Sequence, residues 1–452
     1  MRRLALATIS ALFLITSVGV TPSDAGTPHH RHHHKHSAKW RAHHRAHLRA
    51  QHRRHMHKLL VRRLHRSMPK GVGFHRYVDH RTHSVVHVAA IHPGAHVRLR
   101  PVPASTTLHQ GSLVKTSQMC KRVQCVLAVN GSFRDLPSRL PRGAEIVNGV
   151  PLKLRASEDH QAVFSPRRPV ALGRMRTDIQ LHQQGLGTVR IHSVNMRPGP
   201  DGAAVFTRHF GPRSPHGLTA RVQLHHAGRL RLGRDYRVDV HGLIRHSTRA
   251  LHPGELTVVA HGQSAWKLRW FMRHVDHFAP ITLSTSSPAP AAQSLGTSFR
   301  LLRDSHQAVP GLDWHLVRGR EPRTVLATKP DGTVLLITID GRRRHSWGAS
   351  MYQAAALARR LGATQAVNLD GGGSTTFVVR GHVLNQPSDG YERRVVNGLV
   401  VVRAHHAYDP HYLDRLRARR LARRQAAAAA VHSFHAKLHA AARAKLLRLT
   451  RG

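Results

Sequence analysis

The sequence predicts a strand-rich α/β fold of the mixed α+β kind. One large domain over residues 71–402 carries a mixed sheet with a local βαβ unit, between a disordered basic N-terminal arm and a basic helical C-terminal tail. Three observations carry this expectation. Apolar runs too short for helices recur between turn residues at 85–91, 189–194, 203–207, 218–224 and 256–259. Residues 334–379 read as strand, capped helix and strand. The two ends differ in composition from everything between them: 26–70 is rich in His, Arg and Lys without a single acid, and 403–452 is rich in Ala, Arg and Leu.

Taken from the N-terminus, residues 1–25 have a basic start, an apolar run over 4–20 and the small-residue site Ser23-Asp24-Ala25, the pattern of a secretory signal peptide. An uncleaved anchor is the alternative, because the run is near the lower limit for a membrane span. Residues 26–70 form a low-complexity arm, either solvated (disordered or partly helical) or adhering to a polyanion such as an anionic wall polymer, nucleic acid or anionic lipid. Its clustered imidazoles leave transition-metal binding as a further option. Helices are expected at 113–120 and 263–275, and a surface loop at 285–297. Cys120 and Cys125, the only cysteines, can pair across a short loop if the chain is exported, and their spacing gives no tetrahedral metal set. The tail is expected to be helical from about 412 to 449 and to lie against an anionic surface. Roughly half of the formal charge of +49 falls on the central body, which suits an acidic substrate, although a general bias toward arginine gives the same excess.

The most informative stretch is 334–379. The apolar run 334–339 predicts a buried strand ending at Asp340, and Ser350 with Gln353 forms an S-x-x-Q capping box ahead of Met351, Ala354, Ala355, Ala358 and Leu361. Gly362 stops that helix, and 365–369 returns as a second strand. A crossover through a helix makes the two strands parallel, so Asp340 and Asp370 are expected on one edge, facing one crevice. Asp370 is followed by Gly371, Gly372, Gly373 and Ser374, a backbone that can approach a ligand closely and offer several N–H donors to an anion or a sugar. No Lys follows the glycines and 374–379 reads as a strand, which argues against a nucleotide phosphate loop. Upstream, residues 126–133 read as a strand running into Asn130-Gly131, whose amide can donate to and accept from a sugar hydroxyl or phosphate oxygen. Glu145, between two turns, is either a third carboxylate or an edge-strand surface residue.

These segments together resemble the phosphodiester glycosidase family. AVNGSF at 128–133 is similar to the family's A-x-N-G-x-F-F, PRGAEIVNG at 141–149 to its P-x-G-x-x-I-x-x-G, and VNMRPGPDGAAVFTRHFG at 194–211 to its N-x-x-R and following strand. EPRTVLAT at 321–328 resembles R-T-A-I-G, IDGRRRHSWGAS at 339–350 resembles D-G-R-x-x-x-S-x-G, and AVNLDGGGSTTFVV at 366–379 carries N-L-D-G-G-G-S. RRVVNGLVV at 393–401 fits the closing R-x-V-x-N strand. Two positions depart: Arg134 replaces the second aromatic of the first motif, altering one wall of a sugar site, and Ala327 replaces the glycine of R-T-A-I-G.

The resemblance implies hydrolysis of the bond between a sugar's anomeric carbon and a phosphate esterified to a second group. Carried over by motif position, it implies Asp370 and Asp340 as catalytic carboxylates. Asn130, Arg342, Ser346, Asn368, Gly371, Gly372, Gly373, Ser374 and Arg394 would bind substrate. A phosphate monoester, with a second pKa of about 6, departs with little proton assistance, so one carboxylate to attack or to activate water matters more than a strong general acid. The expected substrate is a sugar-1-phosphodiester or anionic glycopolymer, with no specific nucleic acid and no required cofactor. Two rivals stay open: a phosphoesterase with a divalent metal held by Asp340 and Asp370, and a non-catalytic binder of cell-wall polyanion.

Overall fold

The computed structural model describes residues 38–404 apart from 109–110, 137–138, 156–158, 166–167, 226–228, 287–292 and 312–314, together with single positions between 418 and 429. The expected signal peptide and most of the expected tail helix lie outside the described residues. The chain divides into two compact units, Met1–Leu60 and Val61–Gly452. Where it is described, the arm is helical rather than disordered. α1 (Ala38–Arg66) has no acid in its first turn, and nearly all of its described side chains are exposed. Its last turn belongs to the second unit, where Leu64 is buried and His65 stacks on Phe74 at 4.0 Å. Among the described residues no helix is long and apolar enough to cross a membrane.

The second unit is built from three larger sheets and a two-stranded ladder. The first sheet runs Val72–Asp79, Ser84–Ile91, Val334–Ile339, Arg323–Thr328, Gln365–Asn368, Arg300–Arg303 and His306–Gln307, each antiparallel to its neighbour. The second has thirteen strands, including the parallel pair Ser193–Val194 and Ala203–Phe206 that makes it mixed. The third orders His382–Val383, Phe377–Val379, Leu127–Asn130, Asn397–Arg403 and Val97–Pro103. The ladder joins Arg394–Val395 to Val114–Lys115.

The crossover forms with one difference from expectation. Val334–Ile339 and Gln365–Asn368 are parallel to each other because both are antiparallel to Arg323–Thr328, which is inserted between them. Their C-terminal ends therefore share an edge although the strands do not touch. Between them runs the capped helix, the last of five among the described residues: α2 (Thr116–Arg122), α3 (Gly262–His274), α4 (His315–Arg318) and α5 (Met351–Arg360) follow α1. In α5 the Ser350 hydroxyl accepts from Gln353 N at 3.1 Å while Ser350 N donates to Gln353 Oε1 at 2.9 Å, satisfying two of the amides that a helix start leaves unpaired. Gly362 follows with φ +85°, a left-handed turn that ends the helix where a side chain would be strained. Met351, Ala354, Ala355 and Ala358 bury against Val325, Ala327, Leu335 and Ile337, so small alanines let the helix lie close to the sheet.

Two boundaries differ from the sequence reading. The loop expected at 285–297 contains the strand Gln293–Gly296, held between Glu145–Val147 and Asp159–Ser165, where Ser294 is buried and bonds Gln161. The strand expected from Ser374 begins at Phe377 and is preceded by a 3-10 turn, Gly372–Ser374. Side chains take the intervening ladder bonds: Thr376 N donates to Asn130 Oδ1 at 3.0 Å and Thr376 Oγ1 to Ser374 O at 3.0 Å.

Candidate active site

The glycine loop is clamped at both ends. Asp370 N donates to Gly131 O at 2.9 Å, Asn130 Nδ2 donates to Asp370 O at 2.7 Å, and Gly372 N donates to Pro322 O at 2.9 Å. A β-carbon on Gly371 would lie 2.8 Å from Pro322 O, and Gly372 has φ +57°, so close approach and left-handed backbone together require glycine here. Gly373 serves a different end. A β-carbon there would lie 2.4 Å from both Arg393 Nη2 and Asp389 Oδ2, an ion pair of 2.6 Å that rests directly on the loop.

Asp370 and Ser374 open into a cavity of about 600 Å³, the size range of a small-ligand site. Its walls come from distant parts of the chain: Phe133, Arg134 and Leu136 from one loop, Leu113 and Lys115 from the ladder, and Tyr391, Glu392, Arg393 and Arg394 from the segment entering the closing strand. Leu136 and Tyr391 are 78% and 65% exposed, so an apolar and an aromatic side chain stand at the mouth, and the cations Lys115, Arg134, Arg393 and Arg394 line the cavity with them. Burial pushes the Asp370 carboxyl up to about 6, against the opposing pull of the Ser374 hydroxyl, the Gly371 N–H at 3.0 Å and the Arg393 guanidinium. Glu392 also lines the cavity, but both of its oxygens are engaged by Ser117, through the backbone N at 2.7 Å and the hydroxyl at 2.5 Å.

The cavity thus brings together Asp370, Ser374 and Arg394 of the expected site. The other expected residues do not line it. Asp340 sits on the same sheet edge but is 3% exposed, with Oδ1 accepting from Asn385 Nδ2 at 3.0 Å, Oδ2 from Gln386 N at 3.1 Å, and His87 Nε2 3.7 Å away. Its carboxylate ties down the loop after His382–Val383. The Ser346 hydroxyl donates to Asp340 O at 2.7 Å and accepts from Val85 N at 2.9 Å. Asn130 is fully buried, its Oδ1 accepting from Thr324 Oγ1 at 2.8 Å as well as from Thr376 N, so its amide ties the glycine loop to the strand Arg323–Thr328. Asn368 is buried too, donating to Leu369 O and to Ser298 Oγ at 3.0 Å. Arg342, at φ +58°, pairs through Nε with Glu321 Oε2 at 2.5 Å and lies over Gly372.

Glu145 is neither at a surface nor in this cavity. It is 1% exposed, accepts from Asn397 Nδ2 at 3.0 Å, and burial pushes it up to about 7 despite Asn397 and the neighbouring Lys153. Cys120 and Cys125 are joined by a disulfide at the end of α2. Among the described residues no group of three or more His, Cys, Asp or Glu side chains is placed to hold a metal ion.

Sequence reasoning placed the glycine loop but not the opposite wall. Arg134 was visible as a departure from a motif, and Arg393 as the first residue of the closing R-x-V-x-N stretch. Lys115, Leu136, Tyr391 and Glu392 gave no signal, since pairing of Lys115 with Arg394 joins positions far apart in the chain with no periodic pattern of their own.

Residues 246–402 match the family model for phosphodiester glycosidase. Over 112 residues, a quarter of this chain and 17% of the relative, the sequence is 35% identical to the SPbeta prophage-derived uncharacterized protein YomE of Bacillus subtilis (strain 168). Over 67 residues, 15% of this chain and 13% of the relative, it is 36% identical to N-acetylglucosamine-1-phosphodiester alpha-N-acetylglucosaminidase of Mus musculus. The chain therefore spans under a fifth of the length of the curated relatives it matches. The fold is similar to that of a hypothetical protein from Synechocystis, with a TM-score of 0.57 and 18% identity over 74% of this chain and 62% of that one. Residues 246–402, which contain Asp370, the glycine loop and the Arg393-Arg394 wall, carry the domain of the phosphodiester glycosidase family.

Proposed function

We propose that this chain is an exported hydrolase that cleaves the glycosidic bond of a sugar-1-phosphodiester, releasing the sugar and leaving a phosphomonoester. The observation that carries this reading is Asp370, a carboxylate facing a cavity also lined by Lys115, Arg134, Arg393 and Arg394 and the rings of Phe133 and Tyr391, while the cavity's second acid, Glu392, is taken up by Ser117. Rings at the mouth suit the face of a sugar, and the cations suit a phosphodiester. Asp370 acts as nucleophile toward the anomeric carbon or as base toward the attacking water. The anomeric C–O bond breaks with its electron pair leaving on the phosphate oxygen, and water supplies the hydroxyl to the sugar and a proton to the medium. Guanidinium groups stabilise the negative charge that grows on the departing phosphate. Asp340 acts from behind, by fixing the loop that carries Asn385 and Gln386.

The test is a panel of sugar-1-phosphodiesters and anionic glycopolymers incubated with the full chain, with and without chelator. Free reducing sugar and a phosphomonoester, formed equally in both arms, are expected. Sugar phosphate plus alcohol, formed only without chelator, is the product of a metal-dependent phosphoesterase, and polymer retention without any product is that of a binding protein. Either result overturns the proposal.

A further inference from the structure

We infer that the outward face of α3 and the turn after it form a docking surface for an anionic lipid bilayer. The inward face of α3 is settled by its packing: Ser264, Leu268 and Phe271 are buried, and Leu268 and Phe271 join the core of the thirteen-stranded sheet. The opposite face carries Trp266 and Trp270, one turn apart and 64% and 40% exposed, with the Trp270 ring stacked on His274 at 4.7 Å. Beyond the helix Phe278 is fully exposed.

That phenylalanine is held out by a built turn. The buried Gln183 donates Nε2 to Asp276 O at 2.7 Å and to Ala279 O at 3.1 Å, and its Oε1 accepts from Asp276 N at 2.9 Å. Phe278 N in turn donates to Asp276 Oδ1 at 2.8 Å. A turn clamped across its base presents its side chain without an ordering cost at the moment of binding. The cations complete the pattern. Lys267, Arg273, His274 and His277 are exposed on this stretch and outnumber its one acid, the likewise exposed Asp276, whose Oδ1 accepts from Phe278 N. Tryptophans beside basic residues, with a projecting apolar ring, match the headgroup and acyl boundary of an anionic membrane. A soluble glycan would stack on the indoles but would leave Phe278 in water.

The basic arm and tail will draw the full chain to any anionic vesicle, so the readout must be insertion. The probe is a vesicle of phosphatidylcholine and phosphatidylglycerol with brominated acyl chains, which quenches only tryptophans that reach the hydrocarbon. The wild-type chain is expected to be quenched, and a Trp266→Ala, Trp270→Ala variant, which keeps three of the five tryptophans, is expected to lose the quenchable fraction. Phe278→Ser with Arg273→Glu keeps both indoles and lies on exposed positions, and should lower insertion, read as quenching per bound chain, by roughly tenfold or more, the scale set by one ring returned to water and one charge reversed. Vesicle-bound wild type without quenching would overturn the inference. So would equal quenching of the Phe278→Ser, Arg273→Glu variant, or a self-association abolished by it without any lipid.

Discussion

Replacing Asp340 with Asn separates a carboxylate that reacts from one that holds the site together. Asp340 is 3% exposed, and its two oxygens accept from Asn385 Nδ2 at 3.0 Å and Gln386 N at 3.1 Å. An asparagine keeps one acceptor and turns the other into an amide facing a donor, so one buried N–H is left without a partner and the remaining bond loses its charge. Hydrogen bonds to charged groups contribute about 1.5–3 kcal/mol and an orphaned buried donor costs about 1–3 kcal/mol, which puts the expected destabilisation near 2–4 kcal/mol. Urea unfolding of the variant should show that loss in midpoint with little change in slope. Turnover on a sugar-1-phosphodiester should persist at reduced kcat, because Asp370, Ser374 and Arg394 still line the cavity. Unchanged stability together with complete loss of turnover would refute this reasoning, since it would mean that Asp340 meets the substrate.

The same geometry sets four further expectations. Asp370 is protonated below about 6 and ionised above it, and a nucleophile or base works only when ionised, so kcat/KM should fall as pH drops through about 6; Asp370→Asn should lose turnover by a factor of roughly a thousand or more, read at constant fold by circular dichroism. Gly373→Ala places a methyl 2.4 Å from Arg393 Nη2 and Asp389 Oδ2. It should displace that ion pair, lower kcat/KM by roughly ten- to a hundredfold, and move the acid limb of the profile upward, because Arg393 no longer holds the Asp370 carboxyl down. Asn130→Ala removes three bonds from a fully buried side chain and should cost about 3 kcal/mol or more in urea unfolding, with kcat falling as the glycine loop loses its clamp.

Much of this arrangement was legible in the sequence, for local reasons. The capping box of Ser350 and Gln353, the stop at Gly362 and the buried strand before Asp340 are each written in residues close in the chain, and local chemistry decides them. The shared edge of Asp340 and Asp370 follows from the handed crossover, and survives the insertion of Arg323–Thr328 because a third strand antiparallel to both leaves them parallel. What the sequence did not show is which of the two aspartates faces open space. That depends on Asn385 and Gln386, which turn Asp340 inward through contacts of long sequence separation. The strand Gln293–Gly296 was hidden for a related reason: its polar residues read as loop, and only the bond of Ser294 to Gln161 makes them compatible with a sheet interior. The far wall of the cavity, from Lys115 to Tyr391, is assembled by tertiary pairing alone.

Chemistry at Asp370 as proposed breaks the bond at the anomeric carbon. Hydrolysis of a sugar-1-phosphodiester in ¹⁸O-labelled water, with mass analysis of the phosphate product, tests it most directly. A phosphomonoester free of label is expected; a labelled phosphate would place the attack at phosphorus and rule out cleavage at the anomeric carbon.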